Sequence, residues 1–160
     1  MAIKMILRKI AMVCIALTMS ITVGAQDIDK IYEEAKALYD AKNYKAALPK
    51  LKVAAEKGHK KAQYRLGRCY DKGHGVTENN KVAFAWYQKS AAQNYAKGQY
   101  ALGKCYLKGK GTNADEAKAK IWITKAIKNP KGGLKLKEKI KREIKEGDKD
   151  AKVIQKLVKL

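Results

Sequence analysis

The sequence predicts an all-α protein, an α-solenoid of antiparallel helix pairs that is closed by C-terminal capping helices. Two observations carry this prediction. One stretch of the chain repeats itself without a gap after a shift of 36 residues, and both copies carry apolar residues at the three- and four-residue spacing of a helix face. A repeat of this length is one helical hairpin that cannot cover its own apolar face, so consecutive copies are expected to stack.

The first segment, residues 1–25, has the layout of a secretory signal peptide. Three basic residues precede an apolar run over residues 10–23, and small residues follow that run. The run is shorter than the roughly 20 apolar residues that a bilayer-spanning helix needs. We therefore expect cleavage near Ala25 and a periplasmic or secreted protein, with an uncleaved membrane anchor as the alternative.

A helical repeat domain is predicted over residues 26–130, and its first unit is a divergent hairpin over residues 28–59. Apolar residues at helical spacing form its first helix, and Asn43 can cap the second helix. Pro49 does not fit this second helix, because a proline inside a helix costs about 3 kcal/mol relative to alanine. We therefore expect this helix to begin late or to kink at Pro49.

Each copy of the repeat divides into a helix A and a helix B. In the first copy Leu66, Cys69 and Tyr70 form the apolar stripe of helix A. Gly67 lies beside the stripe, where only a hydrogen atom lets another helix approach closely. A Gly-x-Gly loop then ends helix A, because glycine readily adopts the positive φ angles of a helix end. Helix B follows, with Trp86 on its apolar face.

The two copies share twelve identical residues within 27 aligned positions. The identical pairs are Gln63 and Gln99, Tyr64 and Tyr100, Leu66 and Leu102, Gly67 and Gly103, Cys69 and Cys105, Tyr70 and Tyr106, Lys72 and Lys108, Gly73 and Gly109, Gly75 and Gly111, Ala83 and Ala119, Trp86 and Trp122, and Lys89 and Lys125.

These residues resemble the Sel-like repeat (SLR), which is part of the tetratricopeptide-like superfamily. The resemblance rests on the Leu-Gly pair, the tyrosine, the glycine loop and the tryptophan, all at the separations of that repeat. It places one Sel-like repeat at residues 62–96 and another at 98–130, and it makes residues 28–59 a divergent tetratricopeptide-like unit. The resemblance implies an adaptor that holds a partner protein on one face of the array.

The last segment, residues 131–160, is predicted to be a basic helical C-terminal cap. Two lysine-rich stretches with narrow apolar stripes follow Gly132 and Gly133, and Gly147 separates them. Solenoids need terminal caps with a polar outer face, and these stretches suit that role. The alternative is a basic amphipathic element that lies on a membrane surface or on a partner.

The chain is strongly basic, with a formal net charge of +21. Residues 1–25 hold three basic residues and no acidic one, so their removal leaves +18. Nearly all of the positive charge is lysine, which lacks the bidentate fork through which arginine recognises phosphate. The charge indicates diffuse attraction to polyanions or a merely soluble surface. We expect no nucleic-acid partner, because an exported protein does not usually meet nucleic acid.

The sequence offers few groups for catalysis. Ser90 is the one serine after residue 25, at a small packing position of helix B. Of the two histidines, we expect His74 to be solvated in its glycine loop. We expect His59 to lie at a helix end where a positive charge is favourable. We therefore predict that the protein is not an enzyme and has no cofactor and no metal site.

The cysteines and tryptophans of the repeats are expected to be packing residues. Cys69 and Cys105 occupy equivalent points on successive A helices, which pack about 8 to 10 Å apart. A disulfide needs Cα atoms within roughly 7 Å, so we expect buried free thiols, with a disulfide as the alternative. Trp86 and Trp122 recur at one repeat position among apolar neighbours, so we expect them to pack between helices.

The predicted function is that of an exported, non-enzymatic adaptor that binds a partner protein through its repeat surface. Solvent-facing residues of the A helices are the candidate contacts, namely Arg65, Arg68 and Lys104. The alternative is electrostatic binding of an anionic cell-envelope component, either a phospholipid surface or an acidic glycan.

Overall fold

The computed structural model describes residues 27–160, and the regular secondary structure within this range is helical throughout. The predicted signal peptide lies outside the described residues. None of the helices in this range combines the length and the apolar character that a membrane crossing requires. The helices are α1 over 27–40, α2 Tyr44–Glu56, α3 Lys60–Lys72, α4 Asn80–Ala92, α5 Ala96–Lys108, α6 Glu116–Ile127, α7 Gly133–Lys145 and α8 Lys149–Val158.

The helices pack in chain order, each on its neighbours in sequence. This arrangement confirms the predicted all-α solenoid of antiparallel helix pairs. Helix α3 also contacts α5, and α5 contacts α7, so the first helices of successive pairs lie side by side. We call the surface formed by the odd-numbered helices α1, α3, α5 and α7 the A side, and the surface formed by the even-numbered helices the B side.

Apolar clusters fill the seams between the helices. Leu66 lies in the first cluster, between α1, α2 and α3, and Leu102 lies in the second, between α4 and α5. In the third cluster Ile123 of α6 packs with Ile140 of α7 and Ile154 of α8. The two last helices therefore bury the apolar face of the last repeat, which confirms the predicted capping helices. Leu136, Ile140 and Ile154 of their apolar stripes are buried within the chain, whereas Leu134 and Val153 are exposed.

Helix α2 passes through Pro49. It begins at Tyr44, directly after its cap Asn43, so the expectation that it begins late is wrong. The side-chain oxygen of Asn43 accepts a hydrogen bond from the amide of Ala46 at 3.3 Å. Pro49 lies on the exposed face of the helix. Because proline has no amide hydrogen, the carbonyl of Lys45 receives no helical hydrogen bond from position 49, and Lys45 is also exposed. Water can therefore satisfy it.

Two glycines let the A and B helices of a repeat approach closely. A Cβ atom on Gly67 would lie 2.6 Å from Cε1 of Tyr87, and one on Gly103 would lie 2.5 Å from Cγ1 of Ile123. Both distances are too short for real atoms, so each position requires a residue without a side chain, which is glycine. The predicted role of Gly67 is confirmed.

The second glycine of each Gly-x-Gly loop lies against the helix pair before it. A Cβ atom on Gly75 would be 2.8 Å from the carbonyl oxygen of Tyr44, the first residue of α2. A Cβ atom on Gly111 would be 2.1 Å from the carbonyl oxygen of Asn80, the first residue of α4. Each loop therefore rests on the start of the B helix of the preceding pair.

The tryptophans pack on the core but are only half-buried. The ammonium group of Lys89 lies 4.3 Å from the ring centroid of Trp86, and that of Lys125 lies 4.7 Å from the ring centroid of Trp122. Both contacts are within cation–π range. The predicted packing between helices is therefore correct in kind, but one face of each indole is covered by a lysine rather than by a neighbouring helix.

Cys69 and Cys105 are both buried free thiols, as predicted. Burial raises the pKa of Cys69 to about 11 and that of Cys105 to about 12. Both thiols are therefore protonated at neutral pH and are poor nucleophiles.

Candidate functional site on the odd-numbered helices

Two arginines of α3 share the ring of Tyr39 on α1. The guanidinium carbon of Arg65 lies 5.0 Å from the ring centroid, and that of Arg68 lies 6.0 Å from it. Tyr39 is buried, and burial raises its pKa to about 12, so the phenol is neutral at physiological pH. The aromatic ring therefore holds two positive groups at one place on the A side.

The same arrangement recurs at Tyr100 on α5. The ammonium group of Lys104, one turn along α5, and that of Lys139 on α7 both lie 5.9 Å from the Tyr100 ring centroid. Tyr100 is buried, and burial is the main reason that its pKa is raised. The A side therefore carries two such sites, each with two cations at one tyrosine ring, and the cations come from α3, α5 and α7.

Arg65 and Lys104, two of the three predicted contact residues, are engaged within the chain. The guanidinium of Arg65 donates to the hydroxyl of Tyr32 at 3.2 Å and pairs with Asp40 at 2.9 Å. Its side chain is only 17 % exposed. Lys104 lies 3.6 Å from the carboxylate of Asp150. Arg65 is therefore not the solvent-facing residue that the sequence predicted, and the ion pairs of Arg65 and Lys104 fix α3 to α1 and α5 to α8.

Arg68, Lys97 and Lys135 have no carboxylate within salt-bridge distance among residues 27–160. They stand on the successive A-side helices α3, α5 and α7. Burial, followed by the nearby cations Arg65, Arg68 and Lys135, lowers the pKa of Lys97. Of these three residues, only Arg68 was among the predicted contacts. Lys97 could have been found, since it matches Lys61 in the 36-residue register, but Lys135 lies beyond the repeats.

His59 is the cap of α3 and is not a cation. Its Nδ1 accepts a hydrogen bond from the amide of Ala62 at 3.1 Å, and its Nε2 lies 3.2 Å from Asp29. A ring nitrogen that accepts a hydrogen bond carries no proton, so the expectation of a positive charge here is wrong. Burial is the main reason that the pKa of His59 is lowered. The residue starts a helix, where the dipole disfavours a cation, rather than ending one.

His74 is packed rather than solvated, which corrects the second expectation for the histidines. Its ring stacks on that of Tyr44 with the centroids 4.0 Å apart and the planes 8° apart. Its Nδ1 lies 3.0 Å from the hydroxyl of Tyr39. Burial, more than the nearby Arg68, lowers its pKa. His74 therefore anchors the first glycine loop to α1 and α2.

The free energy of unfolding is expected to fall as the pH drops below about 6.5, the ordinary histidine pKa. Because the pKa of His59 is lower in the folded chain, the unfolded chain binds more protons in this range. The contribution is fully present above the unfolded pKa and is lost as the pH falls toward the folded pKa. The variant His59→Asn keeps a capping side chain that does not titrate. Urea unfolding at about pH 7.5 and about pH 5 should show a smaller loss for this variant than for the wild type, and equal losses would contradict the assignment.

A groove of about 490 Å³ lies where α4, α5 and α6 meet. Trp122 and Lys125 form part of its wall. The Nδ2 of Asn129 donates to the backbone carbonyl of Asn94 at 2.9 Å and to the side-chain oxygen of Gln99 at 3.1 Å. The amides are thus bonded to one another. Within the described residues, no group of three or more His, Cys, Asp and Glu side chains could hold a metal ion.

Comparison with known proteins identifies the repeat. The sequence model of the Sel1 repeat family matches residues 60–95 and 96–130. The crystal structure of a Sel1 repeat protein from Oxalobacter formigenes is 38 % identical, with a TM-score of 0.58, over 60 % of this chain and 40 % of that one. No curated protein matches the chain significantly in sequence.

A second solved structure has the same fold. It is a protective antigen present in uropathogenic Escherichia coli strains and displays an SLR fold. It is 24 % identical, with a TM-score of 0.62, over 82 % of this chain and 30 % of that one, so the likeness concerns the fold alone. This chain spans less than half the length of either solved protein. Within this chain, residues 60–95 and 96–130 match the Sel1 repeat, one copy after the other.

Proposed function

We propose that this protein is an exported, non-enzymatic adaptor that holds a partner protein on its A side. Sel1 repeats generally serve as scaffolds for protein interaction and are typically not catalytic. The observation that carries the proposal is the row of cations on buried tyrosines along α3, α5 and α7, which includes Arg65, Arg68 and Lys104. The buried rings hold these cationic side chains in place on one side of the array, and a charged surface that is already ordered loses less entropy when a partner binds.

The chemistry of the buried groups supports a binding role. The thiols of Cys69 and Cys105 have raised pKa values and are closed off from solvent. His59 and His74 are committed to hydrogen bonds that hold helices together. Export rests on the signal-like layout of residues 1–25, and we propose cleavage near Ala25 and a periplasmic or secreted location.

A second candidate function is electrostatic binding of an anionic cell-envelope component, either a phospholipid surface or an acidic glycan. The observation that favours it is the lysine content of α7 and α8, where Lys141, Lys145, Lys152 and Lys156 are exposed. Such binding would fall steeply with salt and would depend on total charge rather than on one face.

Site-specific crosslinking in the native cell tests the proposed function. A diazirine amino acid at Ala101, half-exposed on α5, is expected to give a discrete protein adduct, because α5 lies in the middle of the A side. The same amino acid at Ala85, exposed on α4, is the matched control and should give little adduct. Mass spectrometry identifies the partner, and adducts of equal yield at both positions, or none, would contradict the proposal.

A further inference from the structure

We propose that Arg68, Lys97 and Lys135 together bind the carboxylates of an acidic, extended segment of the partner protein. This inference rests on the proposed function, since it names the chemistry of the partner that the A side would hold. The three residues come from α3, α5 and α7, so a segment bound to all of them crosses the helices of the array.

Arg68, Lys97 and Lys135 differ from the cations at Tyr39 and Tyr100 that are paired within the chain. Three of the cations that contact Tyr39 and Tyr100 are neutralised by acids of this chain. The pairs are Arg65 with Asp40, Lys104 with Asp150, and Lys139 with Glu143. By contrast, Arg68, Lys97 and Lys135 have no carboxylate within salt-bridge distance among residues 27–160. Asp40 acts on Lys97 from a greater distance, but burial and the nearby cations outweigh it and lower the pKa of Lys97. Their charge is therefore available to an external anion.

These cations also lie close enough to repel one another. Arg65, Arg68 and Lys135 each contribute to lowering the pKa of Lys97, although burial contributes more. Keeping like charges together at a partly dehydrated surface is unfavourable, and a bound carboxylate would remove that repulsion. Carboxylate binding is the stronger at Arg68, whose guanidinium can donate two parallel hydrogen bonds to one carboxylate.

The spacing of the helices fits an extended acidic peptide. Packed helices lie about 8 to 10 Å apart, and an extended chain advances about 3.3 Å per residue. Carboxylates two or three residues apart in the partner can therefore reach cations on successive A-side helices. The buried ring of Tyr39 lies 6.0 Å from the guanidinium carbon of Arg68 and helps to hold this side chain in place.

The distribution of charge favours a protein segment over a lipid surface. Headgroups of an anionic bilayer would attract exposed lysines on any face, including Lys52, Lys81 and Lys120 on the B side. Arg68, Lys97 and Lys135 instead come from the successive A-side helices α3, α5 and α7, and Arg68 and Lys135 both lie near enough to Lys97 to act on it electrostatically. We therefore assign the site to an acidic peptide segment.

Peptide binding to the purified protein tests the assignment. The probe is a fluorescein-labelled peptide of about twelve residues in which glutamate alternates with alanine, and its partner probe has glutamine for glutamate. Fluorescence anisotropy at about 20 mM and about 200 mM salt should show binding of the acidic peptide that weakens with salt. The triple variant Arg68→Gln, Lys97→Gln, Lys135→Gln is expected to bind it about tenfold more weakly than the wild type.

The matched control removes the same charge from the B side. The variant Lys52→Gln, Lys81→Gln, Lys120→Gln alters exposed lysines that form no ion pair within residues 27–160. It should weaken binding by less than about twofold. Equal weakening by the two triple variants, or equal binding of both peptides, would overturn the assignment. Circular dichroism and thermal unfolding establish that both variants are folded.

Two further readouts separate the possible failures. The first is binding to phosphatidylglycerol vesicles. If the A-side variant binds these vesicles more weakly than the wild type, the B-side variant does not, and peptide binding is the same for all three proteins, the site binds lipid and the assignment is wrong. In the cell, the A-side variant should lose the adduct formed from Ala101. If the adduct persists in this variant, the proposed binding of an acidic segment is wrong, but the proposed adaptor function is not affected. If the wild type forms no adduct, the proposed adaptor function itself is wrong.

Discussion

Replacing Gly111 with alanine is expected to lower the free energy of unfolding by about 3 kcal/mol. Gly111 has a φ of +71°, which disfavours any side chain. In addition, the new Cβ would lie 2.1 Å from the carbonyl oxygen and 2.6 Å from the carbonyl carbon of Asn80. Both partners are backbone atoms, so the clash is relieved only by moving α5 and α6 against α4. Urea denaturation followed by circular dichroism measures the effect.

Gly147 provides the matched control for this substitution. Its φ is +86°, but a Cβ there would meet nothing within 4 Å. The variant Gly147→Ala therefore introduces the backbone strain without the clash, and we expect a loss of about 1 kcal/mol. A similar loss in the two variants would show that the contact between Gly111 and Asn80 is not tight.

Replacing Ile123 with alanine is expected to lower the free energy of unfolding by about 3 kcal/mol. Its side chain is 0 % exposed, belongs to the apolar cluster that includes Ile140 and Ile154, and lies against Gly103, so truncation leaves a cavity beside α5 within this cluster. The atoms around the cavity can relax little, because Gly103 already brings α5 against Ile123. Thermal and urea unfolding of the purified variant measure the loss.

The control for Ile123 lies two residues earlier on the same helix. Ile121 is 53 % exposed, so Ile121→Ala removes an equal volume from a position with little packing. We expect it to cost less than about 1 kcal/mol. If Ile123→Ala were no more destabilising than Ile121→Ala, the third apolar cluster would not be the seam that joins the cap to the last repeat.

The helices of the repeats could be predicted from the sequence because their causes are local. The stripe around Leu66 and the close approach at Gly67 both follow from residue spacing within one hairpin. Pro49 shows the limit of such reasoning. Its cost is real in an isolated helix, but in this chain the proline faces solvent, and packing of the other face of α2 on α3 maintains the helix.

The side chains of the candidate site could be predicted only in part. The A-side positions of Arg68 and Lys104 follow from the repeat register, which also relates them to each other. Their partners do not, because Tyr39 and Asp150 belong to the divergent first unit and to the cap. The predicted roles of the histidines were wrong for the same reason. His74 meets Tyr44 only after the chain has folded back on itself.

The contacts of Gly75 and Gly111 have a consequence for the geometry of the whole array. Both glycines touch the first residue of the preceding B helix, and the two contacts are related by the same 36-residue step as the repeat itself. They therefore set the pitch with which one hairpin follows another. A side chain at Gly111 would tilt every helix that follows it, and Lys135 would then move out of register with Arg68.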